Sequence, residues 1–233
     1  MLPLWDDEPH RRAPVVTALL IAVNIAVFGY ELFLLAHGQD AFRRFVEAHA
    51  LVPRRLLGNL GEGGQWLTVL TSMFLHGGFA HVLGNCWFLW VFGNNIEDKL
   101  GPFRFLVFYL VCGAAAAAAQ VLAAPSAAIP MVGASGAISG VLGAYLLLFP
   151  FALIYTLVPW IVPILPIPAL LFLVVWFGVQ SLQGYGSLMR GDSAGGGVAW
   201  WAHIGGFAAG FGLLLLLKRS GGLRRNPARP RAR

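Results

Sequence analysis

The sequence predicts an all-α membrane protein built as a bundle of six transmembrane helices. Of its 233 residues, 58% are hydrophobic and only 11% are charged, whereas soluble domains average about 25% charged residues. The mean hydropathy is +0.73, and several apolar stretches approach or exceed the roughly 20 residues that a helix needs to cross a bilayer. These observations indicate a multi-pass integral membrane protein.

The apolar stretches predict where the six helices lie. They cover residues 15–36, 78–96, 103–123, 135–149, 167–183 and 199–217. The first stretch is too long for a signal peptide and lacks the cleavage pattern of one, so we interpret it as a span. The chain therefore divides into three predicted parts. They are a short cytoplasmic N-terminus over 1–14, a six-helix domain over 15–217 and a disordered basic tail over 218–233.

The distribution of basic residues predicts how the helices are oriented in the membrane. If the N-terminus is cytoplasmic, eleven Lys and Arg residues lie on the inner side and five on the outer side, as the positive-inside rule favours. The inner set is Arg11, Arg12, Lys99, Arg104 and the seven basic residues of 218–233, and the outer set is Arg43, Arg44, Arg54, Arg55 and Arg190. Both termini are therefore expected in the cytoplasm, and the expected location is a bacterial inner membrane.

This topology also accounts for the net charge of +6. A basic tail that follows a span is expected to contact anionic membrane lipid. Nucleic acid is not an expected partner, because the sequence predicts no folded soluble domain that would bind it. The two cysteines, Cys86 and Cys112, lie in predicted helices and indicate neither a disulfide framework nor a metal site.

Two loops depart from a simple bundle. In the loop over 37–77, Asp40 is expected to cap a short helix with aromatic residues on one face and charged residues on the other. That pattern is typical of a helix lying in the membrane interface, and a solvated charged loop is an equally good interpretation. The loop over 150–168 carries no charge, and its prolines forbid a regular helix. We expect it on the inner side, dipping into the interface or packed on protein.

Two polar side chains stand near the starts of apolar, glycine-rich helices. Ser135 begins the predicted helix 135–149, and His203 lies about four residues into the helix 199–217. A hydroxyl and an imidazole cost free energy inside a bilayer, so each indicates a functional site. A serine hydroxyl is a weak nucleophile that needs an adjacent base. The pair therefore predicts the nucleophile and base of a protease that acts within the membrane.

His81 and Asn85 form the third part of the predicted site. They are four residues apart in the helix 78–96 and project from one face. The helices that carry His81, Ser135 and His203 all enter from the outer side, so these groups are expected at a similar depth. Amide hydrolysis passes through an oxyanion, and His81, Asn85 and the backbone N–H of Ser135 are the candidates to stabilise it.

Small residues predict close packing between the helices of Ser135 and His203. Gly206 and Gly210 share a face with His203, and Gly136 lies beside Ser135. Such faces let two helix backbones approach closely, although taken alone they are usually only packing surfaces. The glycines expected to support the site are Gly133, Gly136, Gly206 and Gly210.

No acidic side chain is placed to orient His203. Asp192 lies eleven residues upstream in a glycine-rich loop, and Glu97 and Asp98 lie at the opposite end of their helix. The sequence therefore predicts a Ser–His dyad rather than a triad, in which packing alone orients the imidazole.

These motifs resemble those of the rhomboid family of intramembrane serine proteases. The matching segments are Phe74-Leu75-His76 with His81 and Asn85, Gly133-Ala134-Ser135-Gly136, and Ala202-His203-Ile204-Gly205-Gly206. The resemblance covers roughly residues 14–218, with the motifs in order on the second, fourth and sixth helices. One departure is Leu67, which follows Trp66 where the family often has arginine.

The resemblance implies a six-helix bundle that is open to water from the outer side. It implies Ser135 as the nucleophile, His203 as the general base and acid, and His81 and Asn85 as oxyanion stabilisers. The implied substrate is a transmembrane segment of another membrane protein. Neither a cofactor nor a metal is implied, and the oligomeric state is not predicted.

The sequence gives less support to three other kinds of site or protein. A metal site at His76, His81 and His203 is disfavoured because no carboxylate shares their helix faces. A small-solute transporter would need polar residues across the whole bilayer, and here they cluster near one side. A non-catalytic rhomboid-like protein that binds membrane proteins would be marked by the loss of Ser135 or His203, and both are present.

Overall fold

The chain folds into a bundle of helices with a small antiparallel sheet. The computed structural model describes residues 2–9, 11–158, 162–189 and 199–224. In chain order the elements are β1 (Leu2–Asp6), α1 (Val15–His37), α2 (Gln39–His49), α3 (Pro53–Gly58), α4 (Gly63–Thr71), a 3₁₀ turn (Ser72–Phe74), α5 (Phe79–Leu100), α6 (Pro102–Ala123), α7 (Ser135–Leu148), β2 (Leu153–Val158), β3 (Val162–Pro168), α8 (Ala169–Met189) and α9 (Trp200–Arg219). The six predicted helices correspond to α1, α5, α6, α7, α8 and α9, so the predicted helical membrane fold is confirmed.

The helices differ in how readily each could cross a membrane. By length and composition, α1, α6 and α9 are each long and apolar enough to span one. A fourth candidate span is Gly63–Phe74 taken together with Phe79–Leu100, which meet at a bend of 81°. Two further apolar helices, Ser135–Leu148 and Ala169–Gln183, are shorter. The described residues thus contain three or four candidate spans, which is compatible with the six-helix prediction.

α7 lies at the centre of the bundle. Residues 136–145 are all buried, and they pack against α5, α6 and α9. A Cβ atom added to Gly206 of α9 would overlap the carbonyl oxygen of Gly136, and one added to Gly210 would overlap that of Gly140. Only glycine therefore fits at these crossing points, and the absence of side chains lets the two backbones touch.

Buried carboxylates tie the ends of α1 to its neighbours. Glu97, near the end of α5, accepts hydrogen bonds from the backbone N–H groups of Val16 (2.9 Å) and Thr17 (2.8 Å) and from the Thr17 hydroxyl (2.8 Å). A carboxylate at this position also interacts favourably with the positive end of the helix dipole. Glu31 accepts the backbone N–H of His76 through both of its oxygens, at 3.2 and 3.3 Å. These contacts explain why Glu31 occurs within a predicted span and Glu97 immediately after one.

The loop over 37–77 is largely helical and begins differently from the prediction. Asp40 does not cap α2, because the helix starts at Gln39 and its N-cap is Gly38, which has a φ of 135°. A glycine can adopt this left-handed backbone without strain, so the helix begins ahead of Asp40. None of the α2 side chains is buried, although the ring of Phe45 contacts Tyr30 of α1 edge-on at 5.2 Å.

Within the loop predicted over 150–168, the structure has two antiparallel strands that the sequence did not predict. β2 pairs with β3, and β1 pairs with the other edge of β2 to complete a sheet in the order β1-β2-β3. The prolines of β3 are compatible with this sheet because β3 is an edge strand, in which N–H groups that face away from β2 need no partner strand. The N-terminal residues are therefore part of the fold and not merely a short leader to α1.

The first residues of the predicted basic tail are also ordered. Lys218 and Arg219 belong to the last turn of α9. Beyond the helix, the backbone N–H of Arg224 donates to the carbonyl of Lys99 (2.9 Å), and the Arg104 side chain donates to the carbonyl of Gly222 (2.5 Å). The remainder of the tail, 225–233, lies outside the described residues. The sequence also predicts an outward-facing loop over 184–197, between the fifth and sixth helices; α8 continues through its first part to Met189, and residues 190–197 lie outside the described residues.

Candidate active site

A cavity of about 380 Å³ opens among the helices at one end of the bundle. The N-terminal parts of α5, α7 and α9 and the middle of α8 form most of its walls, together with Gln120 of α6 and the loop that precedes α7. His81, Asn85, Ser135 and His203 all line this cavity. The structure thus brings together all four side chains that the sequence singled out from three separate helices.

Ser135 and His203 are hydrogen-bonded to each other at the cavity wall. Nε2 of His203 lies 2.8 Å from Oγ of Ser135, although the two residues are 68 positions apart in the chain. Ser135 is the first residue of α7, and His203 lies in the first turn of α9. Both residues are only partly buried, so a substrate in the cavity can reach the hydroxyl. The geometry is that of a nucleophile with its base.

The backbone that leads into Ser135 is held by hydrogen bonds to the preceding loop. Met131 exchanges two backbone hydrogen bonds with Leu51, at 2.7 and 3.2 Å, and the N–H of Gly133 donates to the carbonyl of Ser72 at 2.9 Å. Gly133 has a φ of 120°, which a residue with a side chain rarely adopts. These hydrogen bonds fix the backbone just ahead of Ser135.

His81 and Asn85 lie against the same turn. A Cβ atom at Gly133 would come within 2.6 Å of Nε2 of His81 and 3.6 Å of Nδ2 of Asn85. The first distance is too short for a real Cβ contact and the second is an ordinary one, so the absence of a side chain at Gly133 makes room for the ring of His81. Nδ1 of His81 accepts the N–H of Gly77 at 3.4 Å, which leaves the proton of a neutral imidazole on Nε2.

The amide of Asn85 is a free hydrogen-bond donor. Asn85 is buried, and its Nδ2 has no hydrogen-bond partner among the described residues. A buried donor without a partner costs free energy, so native proteins seldom leave one unless it has a role. Together with the Nε2 proton of His81, this amide can bind an oxygen that develops negative charge beside Ser135.

The orientation of His203 differs from the sequence prediction. Packing alone was expected to hold the ring, but Oε1 of Gln180 on α8 lies 2.6 Å from Nδ1 of His203. The indole rings of Trp176 and Trp200 flank the imidazole, each with its centroid 6.1 Å away. The signal for Gln180 was present in the sequence, because an amide in an apolar helix is as unusual as a buried hydroxyl.

A second glutamine that the sequence analysis passed over holds the start of α9. Gln120 of α6 is buried, and its Oε1 accepts the backbone N–H of Ala202 at 3.3 Å. The same N–H also donates to the carbonyl of Ala199 at 3.1 Å, so Gln120 adds a second acceptor at the start of the helix. It also fixes the end of α9 that carries His203.

His76 and the two cysteines do not belong to a metal-binding group among the described residues. The ring of His76 packs edge-on against His81 at 5.2 Å, and its Nδ1 bonds to the carbonyl of Phe74 at 3.1 Å. Within the described ranges, no group of three or more His, Cys, Asp or Glu side chains is arranged to hold a metal ion. Cys86 and Cys112 are buried free thiols.

The fold and the site together describe a helical integral membrane protein with a serine–histidine pair at the entrance of its bundle. A family model described as Rhomboid domain matches residues 63–220, which is more than half of the chain. The chain therefore belongs to the rhomboid family, as its motifs predicted.

Several curated proteins share this similarity. The chain is 36% identical over 134 residues to rhomboid protease GluP of Bacillus subtilis, which covers 57% of this chain and 24% of GluP. It is 34% identical over 142 residues to the putative rhomboid protease YdcA of the same organism, covering 60% and 65% of the two chains. It is 27% identical over 242 residues to RHOMBOID-like protein 5 of Arabidopsis thaliana, covering 91% and 73%. The chain thus spans about a quarter of GluP and somewhat under two thirds of YdcA.

Proposed function

We propose that this protein is an intramembrane serine endopeptidase that cleaves transmembrane segments of other membrane proteins with a Ser–His dyad. The observation that carries the proposal is the 2.8 Å contact between Oγ of Ser135 and Nε2 of His203 at the wall of an open cavity. Two similar proteins are named as rhomboid proteases, which supports the same activity here.

In the proposed reaction, His203 acts first as a base and then as an acid. Its Nε2 takes the proton of Ser135 while Oγ attacks the carbonyl carbon of the scissile peptide bond. The imidazolium then gives that proton to the leaving amine, the C–N bond breaks, and an acyl ester remains on Ser135. In the second half, His203 deprotonates a water that attacks the ester and returns the proton to Oγ.

The charge that forms on the carbonyl oxygen requires donors on the other side of the nucleophile. His81 and Asn85 supply side-chain donors, and Ser135 supplies its own backbone N–H at the start of α7. Donors that are already in place need no reorganisation when the charge appears, which is why such groups strongly favour the transition state. The unpartnered Nδ2 of Asn85 supports this role.

The position of the site in the bundle supports a substrate that is itself a membrane segment. The cavity lies at the ends of apolar helices, and its walls include aromatic and aliphatic side chains such as Trp176, Phe88 and Leu142. We infer a bacterial inner membrane as the location, with both termini in the cytoplasm. The proposed reaction uses only the protein's own side chains and water. Besides the substrate, the expected partner of the protein is membrane lipid.

A non-catalytic rhomboid-like protein that binds membrane segments is the second candidate. The same apolar cavity would serve such a protein, but binding alone gives no reason for a hydroxyl and an imidazole to be hydrogen-bonded at its wall. A small-solute transporter has less support, because the polar groups of the site lie near one end of the bundle.

Labelling by a fluorophosphonate distinguishes a protease from a binding protein. The purified wild type is expected to react at Ser135, and Ser135→Ala and His203→Ala are expected to lose labelling and to cleave a model transmembrane substrate at least about 10³-fold more slowly. Ser139→Ala is the matched control, since this hydroxyl lies one turn away and donates to the carbonyl of Ser135 at 2.6 Å. Undiminished cleavage by Ser135→Ala at a normal melting temperature would refute the dyad.

A further inference from the structure

We propose that Gln180 is a positioning residue that sets the tautomer of His203 and thereby makes Nε2 the base for Ser135. The inference rests on the proposed protease function and adds to it a third side chain from a fourth helix, α8. In this role a neutral amide does the orienting work that a carboxylate does in a serine protease triad.

The geometry around His203 carries this inference. Oε1 of Gln180 lies 2.6 Å from Nδ1, and Oγ of Ser135 lies 2.8 Å from Nε2, so each ring nitrogen has one partner. A carbonyl oxygen can only accept, so Nδ1 must donate to Gln180 and must carry the proton. The neutral imidazole then has its lone pair on Nε2, where it can accept the proton of Ser135.

The opposite tautomer would leave Ser135 without a base. If Nε2 carried the proton, it would donate to Oγ of Ser135 and could not accept from it. A free imidazole populates both tautomers, so something must favour the reactive one. Gln180 is only 9% exposed, and the amide oxygen would lose its partner if Nδ1 gave up its proton. A buried acceptor left unpaired is costly, and this cost favours the Nδ1–H form.

The other groups that face the imidazole cannot take this role. Trp176 and Trp200 flank the ring, and an indole N–H is a donor with no acceptor to offer Nδ1. Their packing restricts the plane of the ring but leaves its protonation unchanged. Gln180 and Trp176 lie one turn apart on α8 and both line the cavity. One face of this helix therefore contacts the imidazole of His203 twice, with Trp176 restricting the plane of the ring and Gln180 accepting its hydrogen bond.

A neutral acceptor differs from a carboxylate in one measurable respect. A carboxylate beside an imidazole favours its charged form, whereas an amide oxygen selects the tautomer with little effect on charge. Replacing the amide by a carboxylate should therefore preserve catalysis and move the acidic limb of the pH–rate profile to higher pH.

Three variants test the role of Gln180. Gln180→Met keeps the length and burial of the side chain but removes the amide acceptor, and Gln180→Glu keeps an oxygen at the same reach. Ser181→Ala is the control, because this hydroxyl bonds to the carbonyl of Phe177 within α8 at 2.9 Å. Gln180→Met is expected to lower kcat about tenfold with little change in KM. Gln180→Glu is expected to recover most of this loss with the shifted pH profile, and Ser181→Ala is expected to behave as wild type.

A second measurement reads the tautomer without any turnover. In the inactive Ser135→Ala variant, ¹⁵N NMR of the His203 imidazole is expected to show a proton on Nδ1 and none on Nε2 at neutral pH. Adding Gln180→Met should give a mixture of both tautomers. This readout stays informative if the protein proves not to be a protease, so failure of the function and failure of the positioning role are distinguishable.

Two results would overturn the inference. One is a wild-type kcat in Gln180→Met, together with an unchanged tautomer. The other is an equal loss of kcat in Gln180→Met and Gln180→Glu, in proportion to a fall in melting temperature. That result would show that Gln180 only supports packing between α8 and α9. If wild-type protein is not labelled by fluorophosphonate but the tautomer depends on Gln180, the protease proposal fails and the positioning contact stands.

Discussion

Gly206 of α9 rests directly on the carbonyl oxygen of Gly136 of α7, with no room for a Cβ atom between the two backbones. These glycines lie three residues after His203 and one residue after Ser135. The close approach of the helices is therefore made at the same level as the hydrogen bond between Nε2 and Oγ. The distance between base and nucleophile depends on the absence of a side chain.

Gly206→Ala is expected to destabilise the protein and to slow cleavage. The added methyl group would force α7 and α9 apart, and overpacking of this kind costs about 1–3 kcal/mol. Thermal unfolding in detergent and the rate of cleavage measure the two effects. Gly212→Ala is the matched control on the same helix, because a Cβ atom there meets nothing within 4 Å. A melting temperature for Gly206→Ala equal to that of the control would contradict this account of the crossing.

His81→Ala and Asn85→Ala are expected to lower kcat and to leave KM little changed. A donor aimed at the oxyanion interacts more strongly with the transition state than with the bound substrate. The loss is expected to approach about 10²-fold per donor, with non-additive effects in the double variant because both groups act on one oxygen.

Thermal stability separates this role from a purely structural one. Leu83→Ala serves as the control on α5, since this side chain is 65% exposed and is not among those that line the cavity. If His81→Ala and Asn85→Ala lost melting temperature in step with activity, they would be bridging helices rather than stabilising an oxyanion. A well-folded double variant with normal kcat would remove both residues from the mechanism.

Asp6 is expected to make the stability of the protein depend on pH. Burial in the sheet region raises the pKa of Asp6 from its ordinary value of 3.8 to about 6, while hydrogen bonds from the Tyr145 hydroxyl (2.6 Å), the Glu8 N–H (3.2 Å) and Asn95 Nδ2 (2.7 Å) work in the opposite direction. The folded state thus binds the proton more tightly than the unfolded state does. The resulting stabilisation is full below the ordinary pKa and is lost as the pH rises through about 6.

Comparison with Asp6→Asn isolates this contribution. The difference in melting temperature between wild type and Asp6→Asn should change in favour of the variant as the pH is raised from about 4 to about 7, because all other groups titrate in both proteins. A difference that stays constant over this range would mean that Asp6 does not titrate in the folded protein.

Reporter fusions can show on which side of the membrane the C-terminus and the predicted loops lie. A fusion at Arg233 is expected to report the cytoplasm, and a fusion at Gly195 is expected to report the opposite side, because of the eleven-to-five division of basic residues. A fusion at Gly58, in the loop that the sequence predicts on the outer side, should agree with Gly195. If Arg233 and Gly195 reported the same side, the number of spans between them would have to be even.

The amino-acid sequence by itself determined the class of fold and the four side chains proposed for the chemistry. Its hydropathy shows where helices can be buried in lipid, because every apolar residue contributes locally and additively. Ser135, His203, His81 and Asn85 stood out because polar groups are costly in such helices. Glycines at helical spacing also indicated which faces of α7 and α9 would meet.

The tertiary structure decided which polar groups touch. Gln180 was visible as an amide in an apolar helix, but its contact with His203 depends on the rotation and crossing of α8 and α9, which local patterns do not encode. The same holds for β1, four of whose five residues pair with β2 about 150 positions later in the chain. A short strand or a single amide forms no repeating pattern in the sequence. Its partner is therefore known only from the tertiary structure, in which packed helices bring two distant segments together.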